Sequence, residues 1–449
     1  MPSVKSTTIQ KLDDFLYLNS RGDEKVTPDG RVSFTTEQAV DQLISQTGGK
    51  TWNGPNVFGK SVEVTYSFAQ YAENPNAQFQ SLNAKSQQIY KEQLARWADV
   101  ANVTFREVSA GETADISVKL DLKQKSAGYS NYPNPDHTIT TAYAWQLTDS
   151  DYSRSVTTHE IGHSLGLAHP VGSKSVPNFY EADSAWDLMR GSHPSVIAKG
   201  FGVGSGSWTA APRVDDIAAM QKLYGANTDT RIGDTTYGFN SNTGAALYSI
   251  TSASAKTTGF TVWDAGGNDT LDFSGYSQNQ RISLQDGSLS DVGGRNGNIS
   301  IAKNAIIENA MGGDGNDIII GNQSANEIHG GGGDDIIYGA GSADQLWGGN
   351  GADTFVYRDV SDSTPNAFDT THDFTSGQDT IDITSLVSDF SSGNALNFVS
   401  TFNDNAGEAV LSYDAVTQSS SLAIDFSGDG TANFLIKIVG QPIISDIIA

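Results

Sequence analysis

The chain has 449 residues, enough for two or three domains with sizeable cores. It carries 52 acidic against 27 basic side chains, a net charge of −25, which argues against nucleic acid or anionic membrane as partners, since phosphate would be repelled, and suits divalent cations instead. It has no cysteine, which excludes disulfides and thiolate chemistry, and no run of about 18 apolar residues able to cross a membrane.

From the amino terminus, Met1 to Gln10 contains no apolar run resembling a signal peptide, which alone would place the protein in the cytosol. Ile9 to Leu18 has the spacing of a small amphipathic helix. Trp52-Asn53-Gly54-Pro55-Asn56-Val57-Phe58-Gly59-Lys60 reads as a turn, and Arg96 to Phe105 as the end of an amphipathic helix entering a strand. Thr141-Ala142-Tyr143-Ala144-Trp145 alternates aromatic and small residues, as a half-buried strand does. Ser153-Arg154-Ser155-Val156-Thr157-Thr158 then offers hydroxyls to cap the start of a helix.

That helix leads into Thr158-His159-Glu160-Ile161-Gly162-His163-Ser164-Leu165-Gly166-Leu167-Ala168-His169, where three of the chain's seven histidines fall together. His159 and His163 are four positions apart and project from one helical face, so two imidazole nitrogens can approach one metal ion. Gly166, free to take positive φ, can end the helix, turn the chain and return His169 as a third ligand. Two helix histidines alone would describe a solvated face; the five fixed residues together describe a zinc centre with its fourth position open. Such an ion lowers the pKa of its water towards about 7, and Glu160 is the natural general base. The longer motif is the metzincin signature, which also calls for a methionine turn, and Asp187-Leu188-Met189-Arg190 supplies Met189.

Around residue 230 Lys and Arg thin out while Gly, Asn and Asp rise. A nine-residue repeat then runs in unbroken register through Gly312 to Ile320, a degenerate unit Gly321 to His329, Gly330 to Tyr338, Gly339 to Trp347, and Gly348 to Val356. This is the pattern of a calcium-binding parallel β-roll. Gly313, Gly315, Gly330 and Gly332 allow tight turns whose carbonyls face an ion, each Asp adds a carboxylate oxygen, and the apolar residue two places later points inward. With two repeats to a coil, Asp317 and Asp335 flank one calcium and Asp335 and Asp353 another. Asn326 and Asp344 make a weaker site on the opposite edge, where Glu327 and the absence of glycine at 324 and 342 reduce the donor set. A flexible Gly-rich linker would not keep Ile, Leu or Phe at every eighth position.

The metzincin motif, the stretches Tyr180 to Met189 and Ala210 to Asn227, and the repeats together resemble the serralysin family, secreted zinc and calcium proteases of Gram-negative bacteria. The resemblance covers nearly the whole chain. It implies a zinc endopeptidase whose α+β metzincin protease domain, residues 19–230, is followed by an all-β parallel β-roll (RTX) domain, residues 231–449, with a short propeptide at residues 1–18. It implies one catalytic zinc and several structural calcium ions, with calcium ligands at Arg231, Gly233, Thr235, Asp264, Gly266, Gly267, Asp269 and Glu308. It also implies that Ala142, Tyr143 and Ala144 lie on an edge strand that pairs with extended substrate, the plain half-buried strand remaining the other reading. Val439 to Ala449 resembles the family's uncleaved secretion signal, so the implied destination is extracellular, by type I export, with calcium ordering the roll outside. The implied partners are protein or peptide substrates, a protein inhibitor and the type I machinery. Nucleic acid and membrane insertion are not expected, and the protein is expected to be a monomer.

Two departures from the family pattern fall near the site. Where the family has a tyrosine two positions after the turn methionine, this chain has Gly191. Losing one donor to the developing oxyanion typically costs on the order of 100- to 1000-fold in rate, so slower or altered catalysis is expected, with Arg190 and His193 as nearby replacements. The connections from Trp145 to His159 and from His169 to Met189 are shorter than the family's, which opens the cleft. The alternatives are a weak or inactive pseudo-protease that binds peptides or an inhibitor, and an extracellular module built on the roll. Neither needs a general base at position 160.

Overall fold

The computed structural model describes residues 7–22, 25, 27, 30–72, 74, 76–170, 179–181, 186–189, 210–252, 259–390 and 396–449. Its amino-terminal part is α+β. Helix α1 (Thr7–Asn19) is followed by α2 (Thr36–Ser45), whose first turn is closed by a reciprocal pair: Gln38 N–H donates to Thr35 Oγ1 at 3.2 Å and Thr35 N–H to Gln38 Oε1 at 2.8 Å. Strands β1 (Val62–Phe68) and β2 (Phe79–Gln80) precede α3 (Ala84–Val100), capped by Asn83. Every third or fourth side chain of α3, from Ile89 and Tyr90 to Leu94, Trp97 and Val100, is buried against the sheet and the next long helix. Strands β3 (Val103–Glu107), β4 (Ile116–Asp121), β5 (Gly128–Ser130) and β6 (Ile139–Tyr143) complete a sheet of order β3-β1-β4-β6-β5, with β2 attached to β4. Helices α4 (Asp151–Ser164) and α5 (Val214–Tyr224) follow.

The strand expected at the sheet edge lies inside it. β6 pairs parallel with β4 and antiparallel with β5, and Ala144 N–H continues the second ladder to Ala127 O at 3.0 Å. Ala142 and Tyr143 are fully buried, so of the three residues expected to meet substrate only Ala144 retains partial exposure. The cause is the short β5, which folds back and occupies the edge that β6 would otherwise present.

The carboxy-terminal part is a parallel roll. Ile318–Ile320, Ile336–Tyr338 and Thr354–Val356 stack in one sheet, Glu327–Gly332 and Gln345–Asn350 in the other, with Ile318 opposite Ile336 and Glu327 opposite Gln345. The register advances by two repeats per coil, so Ile319, Ile328, Ile337, Leu346 and Phe355 all enter one interior. The coil spacing leaves no room for side chains at the stacked turns: a methyl on Gly331, whose φ is +112°, would overlap the carbonyl oxygen of Gly313. Three longer antiparallel strands, Glu408–Asp414, Ser419–Asp425 and Phe434–Val439, extend one of these sheets.

Helix α1 is built into the roll. Ile9, Leu12 and Phe15 are buried against Ile320, Ile336 and Val356, Asp13 pairs with Arg358 at 2.7 Å, and Asn19 exchanges hydrogen bonds with the backbone of Leu289 at 3.1 and 2.7 Å. The segment expected as a propeptide therefore carries packing between the two halves of the molecule.

Candidate active site

Helix α4 starts at Asp151, with Ser150 Oγ accepting from Ser153 N–H at 3.2 Å. The hydroxyls expected to cap it are one or two turns inside, where Thr157 and Thr158 donate to the carbonyls of Ser153 and Arg154 at 2.7 and 2.9 Å. These bonds satisfy two hydroxyls that are completely buried. Trp97 Nε1–H donates to Thr158 O at 3.0 Å and fixes α4 on α3.

The helix ends as the motif requires. Gly166 takes φ +108°, and a side chain there would overlap Lys50 O. Beyond it His169 returns, so that its Nε2 lies 3.0 Å from Nε2 of both His159 and His163. Among the described residues this is the one group of three side chains able to share a metal ion. Tautomers follow from the outer nitrogens: His159 Nδ1 is 3.1 Å from Leu188 O and His163 Nδ1 is 2.7 Å from Leu167 O. A carbonyl only accepts, so both Nδ1 atoms carry hydrogen and both Nε2 atoms present lone pairs. His169 could donate a proton to only one of them. Three nitrogens around tetrahedral zinc at about 2.0–2.1 Å would stand about 3.3–3.4 Å apart, so a slight spreading of these rings admits the ion.

Electrostatics favour the same state. Burial, and then the neighbouring His169, lower His159 to about 4; burial and the other two rings hold His163 well below its ordinary value, and burial lowers His169. The triad is therefore neutral and ligand-competent at neutral pH. Glu160 is 6% exposed, its Oε2 has no hydrogen-bond partner, and burial pushes it up to about 8. It faces the edge strand, where Gly128 permits close approach: a methyl there would stand 3.0 Å from Glu160 Cγ. Tyr132, just past β5, sets its ring edge-on to His163 at 5.7 Å.

Met189 is wholly buried beneath this helix. A methyl on Gly162 would lie 2.5 Å from its Sδ, which explains a glycine inside a helix. Asp187 Oδ1 accepts Met189 N–H at 2.6 Å, and Asp216, in the first turn of α5, accepts from Leu188 N–H at 2.7 Å and Met189 N–H at 3.3 Å. Burial raises both Asp187 and Asp216; the charge of Asp216 raises Asp187 further, whereas the contact with Asp187 and the backbone N–H groups lower Asp216, so that a proton held on Asp187 serves the pair. Gly162, Asp187 and Asp216 stand in stretches quoted from the sequence but are given no role there; the glycine amid helix residues and the Asp215-Asp216 doublet opening a helix are the available signals. Gly191, Arg190 and His193 lie outside the described residues.

The expected calcium ligands gather in two places. At the junction, Thr235 N–H donates to Asp269 Oδ1 at 2.8 Å, Thr235 Oγ1–H to Gly233 O at 2.8 Å, Gly266 N–H to Asp264 Oδ1 at 2.9 Å, and Asp269 N–H to Glu308 Oε2 at 2.8 Å. Gly267 is packed so closely on Gly233 that a methyl would lie 2.7 Å from its carbonyl oxygen. The guanidinium of Arg231 is committed to Asp99 at 2.7 and 3.0 Å, leaving its carbonyl as the available donor. Asp269 Oδ2 is unpartnered, and burial, with nearby Asp264 and Glu308, raises this carboxyl to about 7.

In the roll, Asp317 N–H donates to Asp335 Oδ1 at 2.7 Å and Asp335 N–H to Asp353 Oδ1 at 2.9 Å; on the opposite edge Asn326 N–H donates to Asp344 Oδ1 at 2.8 Å. The pairs expected from the repeat thus adjoin. Gly313 O meets Gly332 N–H across one coil at 2.8 Å, while Gly315 stacks against Gly333 and Gly330 lies against the carboxylate of Asp335. The second oxygens of Asp335, Asp344 and Asp353 are buried without partners, and burial raises these groups to about 8, 8 and 6. Unpartnered buried carboxylate oxygens fit a hard cation. Asp369 and Asp379, which continue the two columns by accepting from Asp344 and Asp353 N–H at 2.9 and 3.0 Å, lie beyond the repeat and were missed.

Comparison with known proteins adds an independent line. Residues 57–186 match the matrixin family model, and residues 226–449 match the model described as peptidase M10 serralysin C terminal. Metallopeptidase AprA of Pseudomonas marginalis is 44% identical over 471 aligned positions, spanning 99% of this chain and 97% of the relative. Serralysin C of Dickeya chrysanthemi is 45% identical, spanning 98% and 95%. Metalloprotease AprA of Pseudomonas entomophila (strain L48) is 42% identical, spanning 100% and 96%.

Proposed function

The chain belongs to the serralysin family of zinc metalloendopeptidases, and from that premise we propose that His159, His163 and His169 hold the zinc while Glu160 is the general base of peptide-bond hydrolysis. The observation that carries this reading is the convergence of three neutral imidazoles, His163 buried and His159 and His169 partly so, beside a glutamate with an unpartnered oxygen. Zinc, when bound, supplies a Lewis acid that polarises the scissile carbonyl and acidifies water. Glu160 takes the proton of the attacking water and passes it to the departing amine, burial making it a stronger base than an exposed carboxylate. Leu188 O and Leu167 O hold two ligand rings in the productive tautomer. Met189 forms the floor.

Substrate, on this reading, lies extended along β5, the last strand of the sheet, rather than along Ala142 to Ala144. A pseudo-protease or a purely structural module would have no use for Glu160 in this state. The domains divide near residue 230, and the roll binds calcium between stacked coils through Asp317, Asp335, Asp344 and Asp353 and, at the junction, through Asp264, Asp269 and Glu308. Type I export to the outside of a Gram-negative cell, with the carboxy terminus as signal and calcium as trigger for folding, accords with the excess of carboxylate. Replacing each triad histidine by alanine tests the zinc assignment: bound zinc and peptide hydrolysis should disappear together, and a variant that keeps stoichiometric zinc would remove that residue from the set.

A further inference from the structure

We infer that Arg213 is a positioning residue of the zinc site, through which a turn of the roll fixes the orientation of His159; the inference rests on the zinc assignment above. Arg213 precedes α5 in extended backbone and is completely buried. Its guanidinium reaches across to the roll, donating from Nη2 to Gly297 O at 2.8 Å and from Nη1 to Asn298 O at 3.2 Å. The acceptors belong to a turn that is itself closed: Asn298 Oδ1 accepts Val292 N–H at 3.0 Å, Asn298 Nδ2–H donates to Val292 O at 3.2 Å, and Gly297 N–H donates to Asp291 Oδ1 at 2.6 Å. Gly259 makes room, since a methyl there would lie 2.9 Å from Asn298 O and 3.4 Å from Nη1. A buried guanidinium is costly to place, and the planar fork is suited to two adjacent carbonyls in a way that lysine is not.

The same residue reaches the metal site through its backbone. Arg213 N–H donates to Asp216 Oδ2 at 2.8 Å, the oxygen that also accepts Leu188 N–H at 2.7 Å, and Leu188 O receives His159 Nδ1–H at 3.1 Å. Three hydrogen bonds therefore lead from Arg213 to a ligand ring. The start of α5 has a second brace, because Arg21 grips Asp215 at 2.7 and 3.1 Å two residues after Asn19 has seized the backbone of Leu289. The zinc ligand, the peptide that orients it and the helix start beneath are thus referenced to the roll. Groups that orient a metal-bound histidine commonly change metal affinity by about 10- to 100-fold when removed.

The test is zinc affinity of the intact, calcium-loaded chain, measured by competition with a chromophoric chelator, with kcat and KM for a peptide measured at saturating zinc. Arg213→Met, which fills the space without donors, should weaken zinc by about 10- to 100-fold and leave KM unchanged. Asn298→Ala, which loosens the acceptor turn and touches no zinc ligand, should weaken zinc in the same direction, and the double variant should be no weaker than Arg213→Met alone. Arg213→Lys should fall between, and with Asn298→Ala it decides the matter if Arg213→Met does not fold. Folded variants with wild-type zinc affinity, or additive effects of the two changes, would overturn the inference. Failure of the wild-type chain to bind zinc would instead overturn the assignment on which it rests.

Discussion

Gly162→Ala sets two effects of opposite sign against each other. In an ordinary helix interior the change stabilises by about 1 kcal/mol, because alanine is the better helix former. Here the added methyl would stand 2.5 Å from Met189 Sδ, 3.1 Å from its Cε and 3.2 Å from Trp97 Cζ2, against about 3.5–4.0 Å for comfortable carbon contacts. Neither neighbour yields freely. Met189 is tied at its backbone to Asp187 and Asp216, and Trp97 donates to Thr158 O at 3.0 Å. Overpacking of this kind costs about 1–3 kcal/mol, so the net effect should be a loss of up to about 2 kcal/mol. Because His163 is the next residue, zinc affinity should fall as well. Urea titration followed by near-ultraviolet circular dichroism and by zinc release measures both. In a Met189→Ala background the two closest contacts are gone and only Trp97 Cζ2 at 3.2 Å remains, so Gly162→Ala should then cost clearly less than in the wild type. A gain of about 1 kcal/mol in the wild-type background, with zinc affinity unchanged, would show that Met189 does not press on the motif glycine.

Calcium binding near pH 7 should release protons, because Asp335 and Asp344 lie at about 8 in the metal-free roll and must ionise to coordinate; titration calorimetry in buffers of different ionisation enthalpy reads the release, and a buffer-independent heat would contradict it. Phe15→Ala should cost about 3–5 kcal/mol in the stability of the roll, since that ring is buried between α1 and the sheet; an unchanged unfolding midpoint would mean that α1 is dispensable. The contribution of His159 to the stability of the metal-free protein, read as the difference between wild type and His159→Phe, should fall as pH drops from about 6.5 towards the folded value of about 4, because within that window the unfolded chain binds the proton more readily than the desolvated ring; the raised carboxyls such as Asp335 and Asp344 act in the opposite direction and cancel in the difference. A difference that stays flat over that range would show that the ring is solvated without its metal.

Local periodicity made much of this molecule legible. The four-residue spacing of His159 and His163, the turning glycine at Gly166 and the nine-residue repeat each encode a geometry within one or two turns of chain, and the observed Nε2 distances and coil register match them. What the sequence concealed was non-local. β6 reads as an edge strand until Gly128–Ser130, too short to carry a pattern, folds onto it. Helix α4 begins before the hydroxyl-rich stretch because buried tertiary contacts outweigh its modest propensity. The apolar face of α1 is plain in the sequence, but its partners, Ile320, Ile336 and Val356, are more than three hundred residues away. Asp216 and Arg213 read as ordinary helix-start residues, and only the fold discloses that one holds the methionine turn and the other grips the roll.

A zinc peptidase with Glu160 as its base cleaves only while that carboxyl group is present. The most direct test is hydrolysis of an unfolded protein by the zinc- and calcium-loaded chain, beside Glu160→Ala prepared identically and shown to bind the same zinc. Cleavage by the wild type and none by the variant is the predicted result. Equal cleavage by both, or none by either with zinc in place, would contradict it.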